Sequence, residues 1–175
     1  MKKSIAVILF ACAMTLPVCA ADVSAKITGV HLCCKACVDA VQKAIAPVNG
    51  ATASVDRDAR TVTLTGPDAA TVQKAADALV AAGYYGKSEN SNIKIAADAG
   101  AKGTKVPSLK LEGVHLCCNQ CVSAVDKAVK SVAGVKEHTA TRNASSFEVK
   151  GDFEDKAVIQ ALHDAGLAAK VGGNQ

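Results

Sequence analysis

Gly29–Val41, GVHLCCKACVDAV, and Gly113–Val125, GVHLCCNQCVSAV, are one phrase written twice, 84 positions apart. His31, Leu32, Cys33, Cys34 and Cys37 recur as His115, Leu116, Cys117, Cys118 and Cys121, whereas Lys35-Ala36 becomes Asn119-Gln120. A repeated structural unit needs only its apolar letters kept. The letters kept here carry ligand chemistry. Each copy holds Cys-x-x-Cys behind one further cysteine, between a strand-like and a helix-like stretch. That spacing puts one thiol on the loop and the next in the first helical turn, so the two sulfurs can converge. The helix N-terminus favours a thiolate through its partial positive charge and unpaired N–H groups. Paired, reachable thiolates bind soft metals, and they also exchange disulfides.

Outward from the cysteines, each copy is strand, helix, strand, strand, helix, strand. In the first, Lys26 to Leu32 is extended, and Val38, Val41 and Ile45 follow at helical spacing until Pro47 and Gly50. Ala51 to Val55 and Thr61 to Thr65 make a hairpin across Asp56-Arg57-Asp58-Ala59. Asp68 caps a second helix with Val72, Ala76, Leu79 and Val80 inward, ended by Gly83; Tyr84 and Tyr85 open a last strand. In the second copy Leu109 to Leu116 is the strand and Val122, Val125, Val129 and Val132 mark the helix. Val135 to Thr141 and Ser146 to Lys150 form the hairpin, and Val158, Ile159 and Leu162 the last helix, closed by Gly166. The predicted class is therefore α+β.

Residues 1–20 stand apart. Lys2 and Lys3 precede an apolar core, Ile5 to Leu16, and Val18-Cys19-Ala20 offers small residues for cleavage before Ala21, as in a signal peptide. The core falls short of the ~18–20 apolar residues that span a bilayer. A lipid anchor on Cys12 or Cys19 is the weaker reading, because Leu-Pro-Val precedes Cys19. The expected address is outside the cytoplasm, periplasmic or secreted. The remaining chain has 18 basic and 16 acidic residues and few aromatics, which excludes a nucleic-acid surface with its basic stripe and stacking rings. Glu89 to Lys105, rich in Ala, Gly and Lys, is read as a flexible linker between domains at 24–88 and 106–175. Export alone would suggest a disulfide framework. Six cysteines in two tight clusters would close only tiny loops, however, so they are read as a site.

The βαββαβ order with Cys-x-x-Cys after the first strand resembles the heavy-metal-associated (HMA) domain, a family of copper chaperones, amino-terminal modules of copper-transporting P-type ATPases and the periplasmic mercury-binding protein. Gly83-Tyr84 near the end of the second helix also matches the family. The resemblance covers both copies. It implies two tandem ferredoxin-like domains with Cys34, Cys37, Cys118 and Cys121 as metal ligands, and partners of similar fold, such as a transporter's metal-binding module, that exchange metal with them. The family's Gly-Met-Thr lead-in is replaced by His31-Leu32-Cys33 and His115-Leu116-Cys117, and Tyr84 by Leu167 in the second copy.

Those departures widen the ligand set. Cys33 and Cys117 are either further ligands or packing partners. His31 and His115 are candidate ligands whose plainer reading is a loop hydrogen bond or solvent exposure. Two thiolates suit Cu(I) or Hg(II), a third allows trigonal binding, and Cys3His would resemble structural zinc. The expected function is an exported, non-enzymatic carrier or sequestrant of a soft metal, Cu(I) foremost, with Hg(II) or Zn(II) as alternatives. A thiol–disulfide redox protein is the rival, since Cys-x-x-Cys at a helix start is also the thioredoxin arrangement. A zinc-stabilised interaction module is the third reading. No phosphorylated-aspartate motif, P-loop or membrane span accompanies the repeat.

Overall fold

The computed structural model describes residues 21–96 and 98–173. The leader segment at 1–20, with Cys12 and Cys19, lies outside the described residues. Among these residues no helix is long and apolar enough to cross a membrane.

Each copy of the repeat folds as one βαββαβ unit. The first runs β1 (Val23–Thr28), α1 (Lys35–Ile45), β2 (Thr52–Asp56), β3 (Thr61–Gly66), α2 (Ala69–Ala81) and β4 (Lys87–Ser88). The second runs β5 (Lys105–Glu112), α3 (Asn119–Lys130), β6 (Val135–His138), β7 (Ser146–Glu154), α4 (Asp155–Asp164) and β8 (Lys170–Val171). The sheets have the same antiparallel order, β2-β3-β1-β4 and β6-β7-β5-β8, with the first strand of each unit inside. This is the ferredoxin-like arrangement of an α+β protein.

Two apolar layers meet in each unit. Ala25 and Ile27 of β1 and Val62 and Leu64 of β3 turn one face to the helices, as strand alternation requires. Cys37, Val41 and Ile45 of α1 and Val72, Ala75, Ala76 and Leu79 of α2 meet them at helical spacing. In the second unit Leu109, Leu111, Phe147 and Val149 pack under Cys121, Val125 and Val129 of α3 and Val158 and Leu162 of α4. Asp68 caps α2, accepting the Thr71 N–H at 2.7 Å.

Both cysteine loops begin earlier than the alternation predicts. The strands expected to reach Leu32 and Leu116 end at Thr28 and Glu112. Gly29 (φ 78°) and Gly113 (φ 77°) turn the chain out of the sheet there. Val30, Leu32, Val114 and Leu116, which imitate strand residues, instead anchor the loops in the core at 5 % exposure or less.

The segment expected to be a flexible linker is tied down at several points. Asn90 donates to the Ser24 carbonyl, Gln73 bonds Lys94 in both directions, and Ile93 is buried. At its end the buried Asp155 carboxylate accepts the N–H groups of Lys102, Gly103 and Thr104 at 2.8–3.0 Å. Burial opposes its ionisation, but these three donors and the Lys156 N–H hold the carboxyl below the usual carboxylate range. Composition could not show this, because most of the partners are backbone groups.

Candidate metal centre

The two units meet through the loops that carry the cysteines. Gly166, at the end of α4, accepts the backbone N–H of both His31 and Tyr85 at 3.1 Å, and Ala168 donates to the Gly83 carbonyl at 2.9 Å. Tyr84 and Leu167 form an antiparallel bridge across the contact. The approach is reciprocal. A Cβ on Gly83 would lie 2.5 Å from the His115 backbone nitrogen, and one on Gly166 would lie 2.5 Å from that of His31. The glycine that stops each second helix is thus also the residue on which the other unit's cysteine loop rests. Arg60 adds a strap, its guanidinium reaching the carbonyls of Val30 and Gly29 at 3.3 Å and of Ala165 at 3.5 Å.

This contact brings six thiols together. Cys34 and Cys118 sit at the N-caps of α1 and α3 in extended backbone, and Cys37 and Cys121 are buried in the first turns. Cys33 and Cys117 precede them on the loops. All six are free thiols; Cys33, Cys34, Cys117 and Cys118 are half-buried. Within the first unit Cys37 lies 3.5 Å from Cys33 and 3.8 Å from Cys34. Across the contact Cys33 lies 3.4 Å from Cys118 and 3.5 Å from Cys121, while Cys117 lies 3.7 Å from Cys34 and 3.6 Å from Cys37. Cys121 completes the symmetry, 3.7 Å from Cys117 and 3.8 Å from Cys118.

The sulfurs form two sets of four in which every ligand atom is within 4.8 Å of the others: Cys33, Cys34, Cys37 and Cys117, and Cys33, Cys117, Cys118 and Cys121. Four thiolates around an ion at the usual metal–sulfur distance of ~2.3 Å stand about 3.8 Å apart. The observed spacings are at or slightly inside that value, so the donor set fits a thiophilic ion. All four cysteines of the Cys-x-x-Cys pairs enter the sets, and so do Cys33 and Cys117. Neither His31 nor His115 does.

The histidines lie in the domain contact instead. His115 packs its ring 4.9 Å from that of Tyr84. Nε2 of His31 and Nε2 of His115 are buried without a hydrogen-bond partner, a condition that costs about 1–3 kcal/mol for a polar group. Burial lowers the His31 pKa, so its neutral form is favoured.

The thiols share charge unequally. The neighbouring Cys121 thiol, helped by His115 and Cys33 against burial, draws the Cys37 thiol down to about 2. Cys121 moves up for the reciprocal reason, with Cys37 beside it and burial added. Burial pushes Cys33 up and takes Cys117 to about 12. Burial also opposes the Cys118 thiolate, yet the Cys121 and Gln120 amides and the Cys33 thiol bring it to about 7. The two depressed thiols, Cys37 and Cys118, lie at the N-terminal ends of α1 and α3, where helix N–H groups favour the thiolate form.

Residues missed from sequence are those that brace the centre. The Tyr84 hydroxyl donates to the Cys37 carbonyl at 3.1 Å, buried. The Tyr85 ring stacks on His163 at 3.7 Å and 3°. Gly83-Tyr84 in the first copy against Gly166-Leu167 in the second was the available signal for the first of these.

A model of the heavy-metal-associated domain matches residues 26–85 and again residues 109–167. The chain belongs to this family. Its domains bind heavy metals, and both copies here carry the thiols for it. Among solved structures, the chain is similar to the N-terminal soluble domains of Bacillus subtilis CopA, at 15 % identity and a TM-score of 0.33, over 89 % of this chain and 97 % of that one. No curated protein matches the chain.

Proposed function

We propose that this HMA protein is exported and sequesters or hands on a soft metal ion, Cu(I) foremost, without acting as an enzyme. The observation that carries the reading is the convergence of six free thiols at S···S separations of 3.4–3.8 Å. An all-thiolate donor set selects soft ions, and the depressed Cys37 and Cys118 thiols lower the proton cost of binding. Half-exposed Cys34 and Cys118 give an acceptor's thiolates a place to attack, which suits ligand exchange with a similar fold, such as a transporter's metal-binding module. Cys33 and Cys117 are ligands in this reading, and His31 and His115 are positioning groups.

Zinc is the second reading, favoured by one observation: each thiol set has four members, the number of a closed tetrahedral site. Native mass spectrometry of the reduced chain under anaerobic conditions separates the two. Cu(I) is supplied from a competing chelator, with Zn(II) and Hg(II) in parallel samples. Expected is Cu(I) uptake that vanishes when Cys34, Cys37, Cys118 and Cys121 become serine. Cu(I) left on the chelator while zinc binds would move the assignment to zinc. Thiols that cycle as disulfides and take neither ion would move it to a redox role. Export has its own check: the chain recovered outside the cytoplasm should begin at Ala21.

A further inference from the structure

We infer that the centre holds two metal ions in one bridged unit, with Cys33 and Cys117 as the bridging thiolates; this rests on the soft-metal reading above. Six cysteines supply two sets of four only if two residues serve twice, and the two that do are Cys33 and Cys117. They are the extra cysteines that precede each Cys-x-x-Cys. Each set takes three thiols from its own unit and a fourth from the other unit's extra cysteine. A single ion clamped by all six is not what the positions provide, because the six sulfurs fall into two sets rather than one.

The distances support sharing. Cys33 lies 3.5 Å from Cys37 in its own unit and 3.4 and 3.5 Å from Cys118 and Cys121 in the other. Cys117 lies 3.7 Å from Cys121 and 3.7 and 3.6 Å from Cys34 and Cys37. A thiolate sulfur has lone pairs enough for two ions, whereas an imidazole nitrogen has one. That difference explains why the repeat uses a cysteine here. Each thiol that becomes a ligand gives its proton to solvent. The excess negative charge that remains faces the N-termini of α1 and α3, where oriented N–H groups stabilise it.

Sharing also assigns a purpose to the domain contact. Neither set is complete within one unit, so the reciprocal seating of Gly83 and Gly166 on the opposite loops is part of the site. Loading the first ion brings both bridging sulfurs into place for the second, and the two should be acquired together.

The test is X-ray absorption at the copper edge on the reduced full chain carrying two equivalents of Cu(I), with native mass spectrometry following the loading. Expected are a metal–metal scattering shell and a scarce one-ion species. In the Cys33→Ser/Cys117→Ser variant, where each set loses two of its four thiols, the shell should disappear and both ions should bind roughly tenfold or more weakly. Two ions loading statistically, with no metal–metal shell in the wild-type chain, would overturn the bridged centre and leave the metal-binding function standing. Uptake of one ion only would overturn it equally. No Cu(I) uptake would overturn the function itself. The wild-type spectrum decides without the variant, so a folding defect in the variant leaves the test intact.

Discussion

The two copies of the repeat agree where they face each other and differ around the rim of that contact. His, Leu, three cysteines and the helix-stopping glycine are common to both, and they build the thiol centre and its reciprocal backbone contacts. The differing positions brace it from one side only. Tyr84 holds the Cys37 carbonyl, while Leu167 gives Cys121 no such bond; Tyr85 stacks on His163, while their counterparts are Ala168 and Val80. Metal chemistry demands symmetry at the ligands, and packing around them does not.

The largest test of the symmetric part is the pair Gly83→Ala and Gly166→Ala. Each places a Cβ about 2.5 Å from opposing backbone at a left-handed φ of 90° or 81°. Each is expected to cost about 2–4 kcal/mol by denaturant titration, and to part the units by small-angle scattering. Unequal effects would break the symmetry argument.

Next is Asp155, whose buried carboxylate ties Lys102, Gly103 and Thr104 to the second unit. Asp155→Ala strands those donors and is expected to cost about 2–3 kcal/mol. Because its folded pKa is depressed, the stabilisation is complete above the ordinary aspartate value of about 3.9. It is lost as pH falls through the folded value, and unfolding midpoints against pH should show that loss in the wild type and not in Asp155→Ala.

The asymmetric braces come last. Tyr84→Phe removes one buried hydrogen bond and should cost about 1–1.5 kcal/mol, with the first unit's amides near Cys37 exchanging faster than the second's near Cys121. Tyr85→Ala loses a single stacked pair, about 0.5–1 kcal/mol.

Much of this was legible in the sequence. The apolar periods of α1 to α4 and the hairpins were plain, and the doubled cysteine phrase marked the site. Val30 and Leu32 misled, since a buried loop anchor and a strand residue share an apolar alternation, and only the Gly29 turn separates them. The meeting of the loops was out of reach. It depends on backbone groups 81 to 135 positions apart, from Tyr85 N–H to the Gly166 carbonyl at one end and His31 N–H to the same carbonyl at the other, which no side-chain pattern encodes. Sequence alone cannot divide Cys33 and Cys117 between ligand and packing roles, because each joins a thiol set of the other copy.

Cys117→Ser therefore offers the most direct measurement: Cu(I) affinity of this single variant by chelator competition. Independent domains would keep the first unit's Cys33, Cys34 and Cys37 intact, and the tightest site would hold its wild-type affinity. A shared centre loses a ligand from both thiol sets at once. Expected is a tightest site weakened roughly tenfold or more; an unchanged one would contradict the shared centre.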